Sequence, residues 1–169
     1  MRPIDAQERL SKWLRMRGID TPSGQCGQYT VRTGSGEECL LWLPEHDVTL
    51  FIFIVIAELT IPQDNGILAL TLALNLEPSR TRSTELGYNS DSRQLMLRSF
   101  HPVENLDEDS LNRILLQMGT LADSLKCYVE DYRRQAACEQ PIARGPAPAT
   151  VSKLKARFFN IQAGSPYAD

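Results

Sequence analysis

One apolar run restricts this chain more than any other feature: Leu50-Phe51-Ile52-Phe53-Ile54-Val55-Ile56-Ala57, eight residues without a polar side chain. A membrane-spanning helix needs about 20 such residues, so the run is too short to cross a bilayer. Its β-branched and aromatic content favours an extended conformation over a helical one. It is read as a buried strand. Because apolar residues fill both parities, the run does not say which of its faces points outward.

Tyr29-Thr30-Val31-Arg32-Thr33 and Cys39-Leu40-Leu41-Trp42-Leu43 flank Gly34-Ser35-Gly36, the pattern of a β-hairpin. Pro44-Glu45-His46-Asp47 then turns the chain into the apolar strand at 48–57, which completes a three-stranded antiparallel meander. Ahead of it, Ala6, Leu10, Trp13, Leu14 and Arg17 recur at helical spacing over residues 4–17 and stop at Gly18, a C-terminal cap. Residues 19–27 collect Pro, Gly and Ser and read as a loop. After the meander, Pro62 can occupy a first helical turn, and residues 67–76 are apolar all round. Such a helix is buried on more than one side, which in a chain of this size points to a dimer interface. A second hairpin joins residues 84–88 to 94–100 across Asn89-Ser90-Asp91-Ser92. Asp107, Glu108 and Asp109 place negative charge at the start of a long helix striped by Leu111, Ile114, Leu115, Met118, Leu121, Ala122, Leu125, Val129 and Tyr132. The expected fold is α+β, a twisted antiparallel five-stranded sheet with three helices in the order α-β-β-β-α-β-β-α.

The 169 residues suit one folded body, expected over residues 1–135. Residues 136–169 carry three prolines in the ten positions 140–149 and little to bury, which marks a Pro-rich linker and a disordered basic tail. The body holds 14 basic and 19 acidic side chains, a net of −5; the tail holds 4 and 2, a net of +2. Val151, Leu154, Phe158 and Ile161 fall roughly on one helical face, so the alternative for the tail is a short docking segment. With a total of −3 and a pI near 5.5, the field of the protein repels a phosphate backbone, and no nucleic-acid partner is expected. The N-terminus lacks the apolar core of a secretory signal, and the apolar runs are too short for membrane insertion.

Groups able to do chemistry are scattered. His46 and His101 both sit beside prolines in expected turns, where a solvated imidazole outweighs a base or ligand. Cys26, Cys39, Cys127 and Cys138 form no C-x-x-C pair; reduced thiols are expected, with Cys39 and Cys127 as small buried hydrophobes and no metal site or cofactor. Gly34-Ser35-Gly36 lacks the Lys and following helix of a phosphate loop. What exceeds an ordinary core is apolar surface: the helix at 67–76, the strand at 50–56, Trp13, Trp42 and Tyr29 together outstrip what one small sheet hides. Binding is favoured over catalysis. Two other readings stand beside it, a small enzyme using Cys39 or His101 and a regulatory adaptor that sequesters a transcription regulator.

Taken in order, Leu68-Ala69-Leu70-Thr71-Leu72-Ala73-Leu74-Asn75, then Glu85-Leu86-Gly87-Tyr88-Asn89, Gln94-Leu95-Met96-Leu97 and Leu106-Asp107-Glu108-Asp109 resemble the class I type III secretion chaperones, the Tir-chaperone-like (CesT-type) family. The resemblance covers roughly residues 4–135. It implies a non-enzymatic homodimer in the bacterial cytoplasm that holds an N-proximal segment of a secreted effector soluble and secretion-competent, with the ATPase of the secretion apparatus as a further partner. It also implies a dimer helix at 67–76, with Ile67, Leu70 and Leu74 as contacts. The effector grooves it implies nominate Leu10, Trp13, Leu14, Trp42, Phe51, Phe53, Leu95 and Leu97. Members of that family end soon after the last helix, so the tail at 136–169 is a departure.

Overall fold

The computed structural model describes residues 1–19, 27–77, 81 and 84–138. Helix α1 (Pro3–Met16) is followed by strands β1 (Gln28–Arg32), β2 (Glu38–Trp42) and β3 (Thr49–Glu58). Helix α2 (Asn65–Asn75), strands β4 (Glu85–Asn89) and β5 (Gln94–Pro102), a 3-10 turn at Val103–Asn105 and helix α3 (Glu108–Cys138) complete the order. The sheet is antiparallel throughout, in the spatial order β1-β2-β3-β5-β4. The expected α+β fold is what the chain adopts. Of the tail expected at 136–169, residues 139–169 lie outside the described residues, while 136–138 belong to α3, which continues three residues past the expected boundary at 135.

Each helix starts and stops for a local reason. Proline at the first position of α1 sacrifices no intrahelical bond, and the Arg2 backbone N–H donates to the Asp5 carboxylate at 3.2 Å. Gly18, at φ +72°, ends the helix in the left-handed conformation and donates its N–H to the Arg15 carbonyl at 3.0 Å. Asp107 accepts the Ser110 N–H at 2.7 Å and so caps α3, a more specific role than general attraction to the helix dipole. Pro62 precedes α2 in a turn and lies outside its first turn; Asp64 opens that helix, its carbonyl accepting the Ile67 N–H at 2.9 Å.

Register sorts the sheet into two unlike faces. Inward lie Val31, Cys39, Leu41, Leu50, Ile52, Ile54, Leu97 and Ser99, all buried. Helix α3 crosses this face, where the Ser99 hydroxyl donates to the Met118 sulfur at 3.0 Å. Gly119 leaves room for the β1–β2 loop to lie against the helix, since a Cβ there would collide with the Thr33 and Ser35 side chains. At the far end of the sheet, Asn75 closes the free edge of β4. Its side-chain amide donates to the Leu86 carbonyl at 2.8 Å and its oxygen accepts the Leu86 N–H at 2.9 Å.

His101 is no turn residue: it belongs to β5, half-buried and turned inward, with Nε2 3.1 Å from the Ser99 hydroxyl. Cys127 is exposed on α3, because the buried stripe of that helix runs through Leu121, Ala122, Leu125, Tyr128 and Val129 and leaves position 127 on the opposite side.

Asp64 ties α2 to α3. It is buried, accepts the Thr60 N–H at 2.8 Å and receives both Nε and Nη2 of Arg133 at 3.2 and 2.7 Å. Burial by itself raises this carboxyl; the guanidinium and the backbone donor outweigh it and hold the group below its ordinary range. A depressed folded-state pKa gives stability that is complete above the ordinary carboxylate range and is lost as pH falls through the folded value. Asp64→Ala is therefore expected to cost about 2 kcal/mol at pH 7 in urea denaturation, the half-exposed arginine keeping the loss below that of a fully buried pair, with the difference from wild type shrinking below about pH 4.

Candidate functional site

The outward face of the sheet is apolar and no described helix covers it. Cross-strand pairing places Trp42 beside Phe51 and Phe51 beside Phe100; the next outward row runs Leu40, Phe53, Arg98, Glu85, and the next pairs Val55 with Met96. The Trp42 and Phe51 rings are 5.5 Å apart between centroids, and Phe51 stacks on Phe53 at 6.5 Å. Val55 is 40% and Phe100 55% exposed. An ion pair between Arg98 and Glu85, at 2.8 Å, borders the patch toward β4. Apolar surface this continuous, with no described helix over it, makes this face the candidate docking surface.

A cleft of about 240 Å³ opens between α1, the 3-10 turn and the start of α3, with Leu10, Trp13, Met16, Leu106 and Leu111 in its walls. Arg9 and Lys12 stand on one rim, Asp107 and Glu108 on the other. Trp13 is held by the Arg17 guanidinium, 4.8 Å from its ring centroid, while its indole N–H has no partner among the described residues. A third surface is the outer side of α2, where Leu72 is 70% and Leu76 84% exposed.

Set against these surfaces, the expected site residues divide. Trp42, Phe51 and Phe53 come together on the outward face, and Leu10 and Trp13 line the cleft. Leu14, Leu95 and Leu97 do not reach a surface; all three are fully buried, the two leucines of β5 at positions that alternate with Met96 and Arg98. The expected contacts Ile67, Leu70 and Leu74 on α2 are likewise buried, because that side of the helix packs into the core of its own chain. Its open side is Ala69, Leu72 and Leu76. Val55, Met96 and Phe100, missed in the sequence, were accessible through parity: Arg98 must face water, and Met96 and Phe100 share its face.

Among the described residues, chemistry-bearing groups are not gathered. Burial pushes the Cys39 thiol up to about 12, so it stays protonated and unreactive. Burial also lowers the His101 imidazole, which lies opposite Leu50, while Cys39 is beyond Leu40 in the strand on the other side of β3. Among the described residues no group of three His, Cys, Asp or Glu side chains could hold a metal ion, and no helix is long and apolar enough to cross a membrane.

Among the described residues, helices clothe one face of the sheet and leave the other uncovered and aromatic. The chain belongs to the Tir chaperone protein (CesT) family, whose model matches residues 11–126, and it is an effector-binding chaperone of type III secretion. No curated protein matches it. Its fold is similar to a chain of the heterodimeric ExoU–SpcU complex from the type III secretion system of Pseudomonas aeruginosa, at 17% identity and a TM-score of 0.56 over 70% of this chain and 95% of that one. It is also similar to a chain of the ExsC–ExsE complex, at 12% identity and a TM-score of 0.57 over 74% and 93%, and to one of the HopA1–SchA chaperone–effector complex, at 16% and 0.56 over 73% and 94%.

The thiols provide a check on these burial assignments. Native protein treated with iodoacetamide at pH 8 is expected to be alkylated at exposed Cys127 and Cys138, whereas Cys39 reacts only after denaturant is added, as read by peptide mass mapping.

Proposed function

We propose that this chain acts in the bacterial cytoplasm as a homodimer, without catalytic activity of its own, and that its client is an N-proximal segment of one secreted effector. The observation that carries the reading is the uncovered stripe of Trp42, Phe51, Phe53 and Phe100. A client segment kept extended or locally helical would lay apolar side chains on that stripe, and the cleft at Trp13 would take a further apolar side chain. Held that way, the segment is neither free to aggregate nor folded into a globule, and it can be handed to the ATPase of the secretion apparatus. The dimer in this reading forms through the open side of α2, with Leu72 and Leu76 as its contacts in place of Ile67, Leu70 and Leu74.

Affinity purification of tagged protein from its bacterial host under secretion-inducing conditions tests the client reading. Wild type is expected to retain one large protein through its N-proximal segment, and Phe53→Glu to weaken the purified pair by at least about tenfold. Recovery of a DNA-binding regulator instead would favour the adaptor, and an undiminished affinity in Phe53→Glu would remove the sheet face from the site. For the dimer, light scattering should give about twice the chain mass of 19.0 kDa. Leu72→Glu, a change at a residue 70% exposed in the single chain, is expected to return the mass to that of one chain without loss of helical signal.

A further inference from the structure

Each of the two apolar surfaces, the outward stripe and the cleft, includes a methionine. Met96 stands half-buried on the outward face of β5, directly opposite Val55 on β3 and Gly87 on β4. Because its partner on β4 is glycine, that flank carries no side chain to screen it; a Cβ at Gly87 would meet no atom within 4 Å among the described residues. Met16, in the last turn of α1, is 55% exposed and forms part of the cleft wall beside Trp13. Met118 differs from both. It is buried where α3 crosses the sheet, and its sulfur accepts the Ser99 hydroxyl at 3.0 Å. Met1 is exposed but does not line the cleft or the stripe.

A thioether is soft and apolar, which suits a surface that must fit varied side chains, and peroxide turns it polar. The sulfur lone pair attacks one peroxide oxygen, and the O–O bond breaks as the S–O bond forms. The departing hydroxide takes the proton of the new S–OH group and leaves as water; sulfur loses two electrons and the peroxide gains them. The sulfoxide oxygen is a strong acceptor, and covering it with an apolar segment leaves it without a donor. On the sheet, Arg98 lies two residues along the same face from Met96, but it already directs Nε and Nη2 to Glu85 at 3.0 and 2.8 Å. At the cleft, Lys12 sits one helical turn before Met16 and can donate to such an oxygen, which would draw an ammonium over the apolar walls.

We propose that Met16 and Met96 are sites of reversible oxidation by hydrogen peroxide, and that their sulfoxides make the cleft and the stripe less able to hold apolar groups. The fold is kept, since Met118 is spared. A methionine sulfoxide reductase returns each sulfur to the thioether and restores the surface. Loss of client affinity on oxidation rests on the client reading, whereas the order of reactivity rests on burial alone.

Full-length chain, its exposed thiols first blocked with iodoacetamide, is treated with hydrogen peroxide. Peptide mass mapping is expected to find an added oxygen at Met16 and Met96 while Met118 is unmodified. Anilinonaphthalene sulfonate, a dye that fluoresces on exposed apolar surface, reads the effect without a client. Its signal is expected to fall at least about twofold in oxidised wild type, to hold in the protein carrying both Met16→Leu and Met96→Leu, and to recover after treatment with reductases for both sulfoxide epimers. Met1 is oxidised in both proteins and so serves as an internal control. The purified client pair should follow the same pattern, weakening at least about fivefold in wild type alone. An unchanged dye signal in oxidised wild type, an equal loss in the double variant, or oxidation of Met118 ahead of Met16 and Met96 would overturn the proposal. Dye loss confined to wild type supports it even where Phe53→Glu leaves client affinity unchanged, an outcome that counts against the client reading alone.

Discussion

The structure depends on a mismatch in β3: this strand is apolar on both faces, and the described helices cover only one. Leu50, Ile52 and Ile54 are buried beneath α3, which satisfies the hydrophobic requirement of that side. Phe51, Phe53 and Val55 receive no such cover from the described helices and are joined laterally by Trp42 and Phe100 instead. Aromatic neighbours shield one another in part, but the stripe still meets water. Folding therefore leaves an unspent hydrophobic driving force on one surface, and a chaperone needs that to hold a segment with no fold of its own.

The remaining elements keep that surface open and rigid. Helix α3, 31 residues long, braces the inner face from the cleft beside Trp13 to Tyr132 near α2. The Asp64–Arg133 clamp fixes α2 to it, and Lys126 with Glu37 fixes the β1–β2 loop. Asn75 blocks one edge of the sheet, so lateral growth there is prevented while the outward face stays accessible. Stability is thus concentrated on the covered side, away from the outward aromatic stripe.

Much of this was legible in the residues. The order of elements followed from period changes, from Gly18 and Asp107 as helix boundaries and from the turn residues at 34–36 and 89–92. The site was less legible, and the reason is physical. In β3 both parities are apolar, so no local signal separates Phe53, which faces out, from Ile54, which faces in. In β5 the signal existed, since Arg98 sets the outward parity and places Leu95 and Leu97 inside. Helix α2 misleads in another way: its one hydroxyl, Thr71, is satisfied by the Ile67 carbonyl at 2.9 Å and lies buried, while Leu72 is outside. His101 beside Pro102 looked like a turn because a strand that ends on proline has the same local composition.

The central claim is that the outward stripe is where the client lies. Hydroxyl-radical footprinting of Trp42 and Phe100, in the purified chaperone alone and saturated with its client, measures this directly. The account predicts that oxidation of both falls several-fold on binding, as expected for exposed aromatic rings buried in an interface. Equal oxidation in the free and bound states would contradict it and move the client to a different surface.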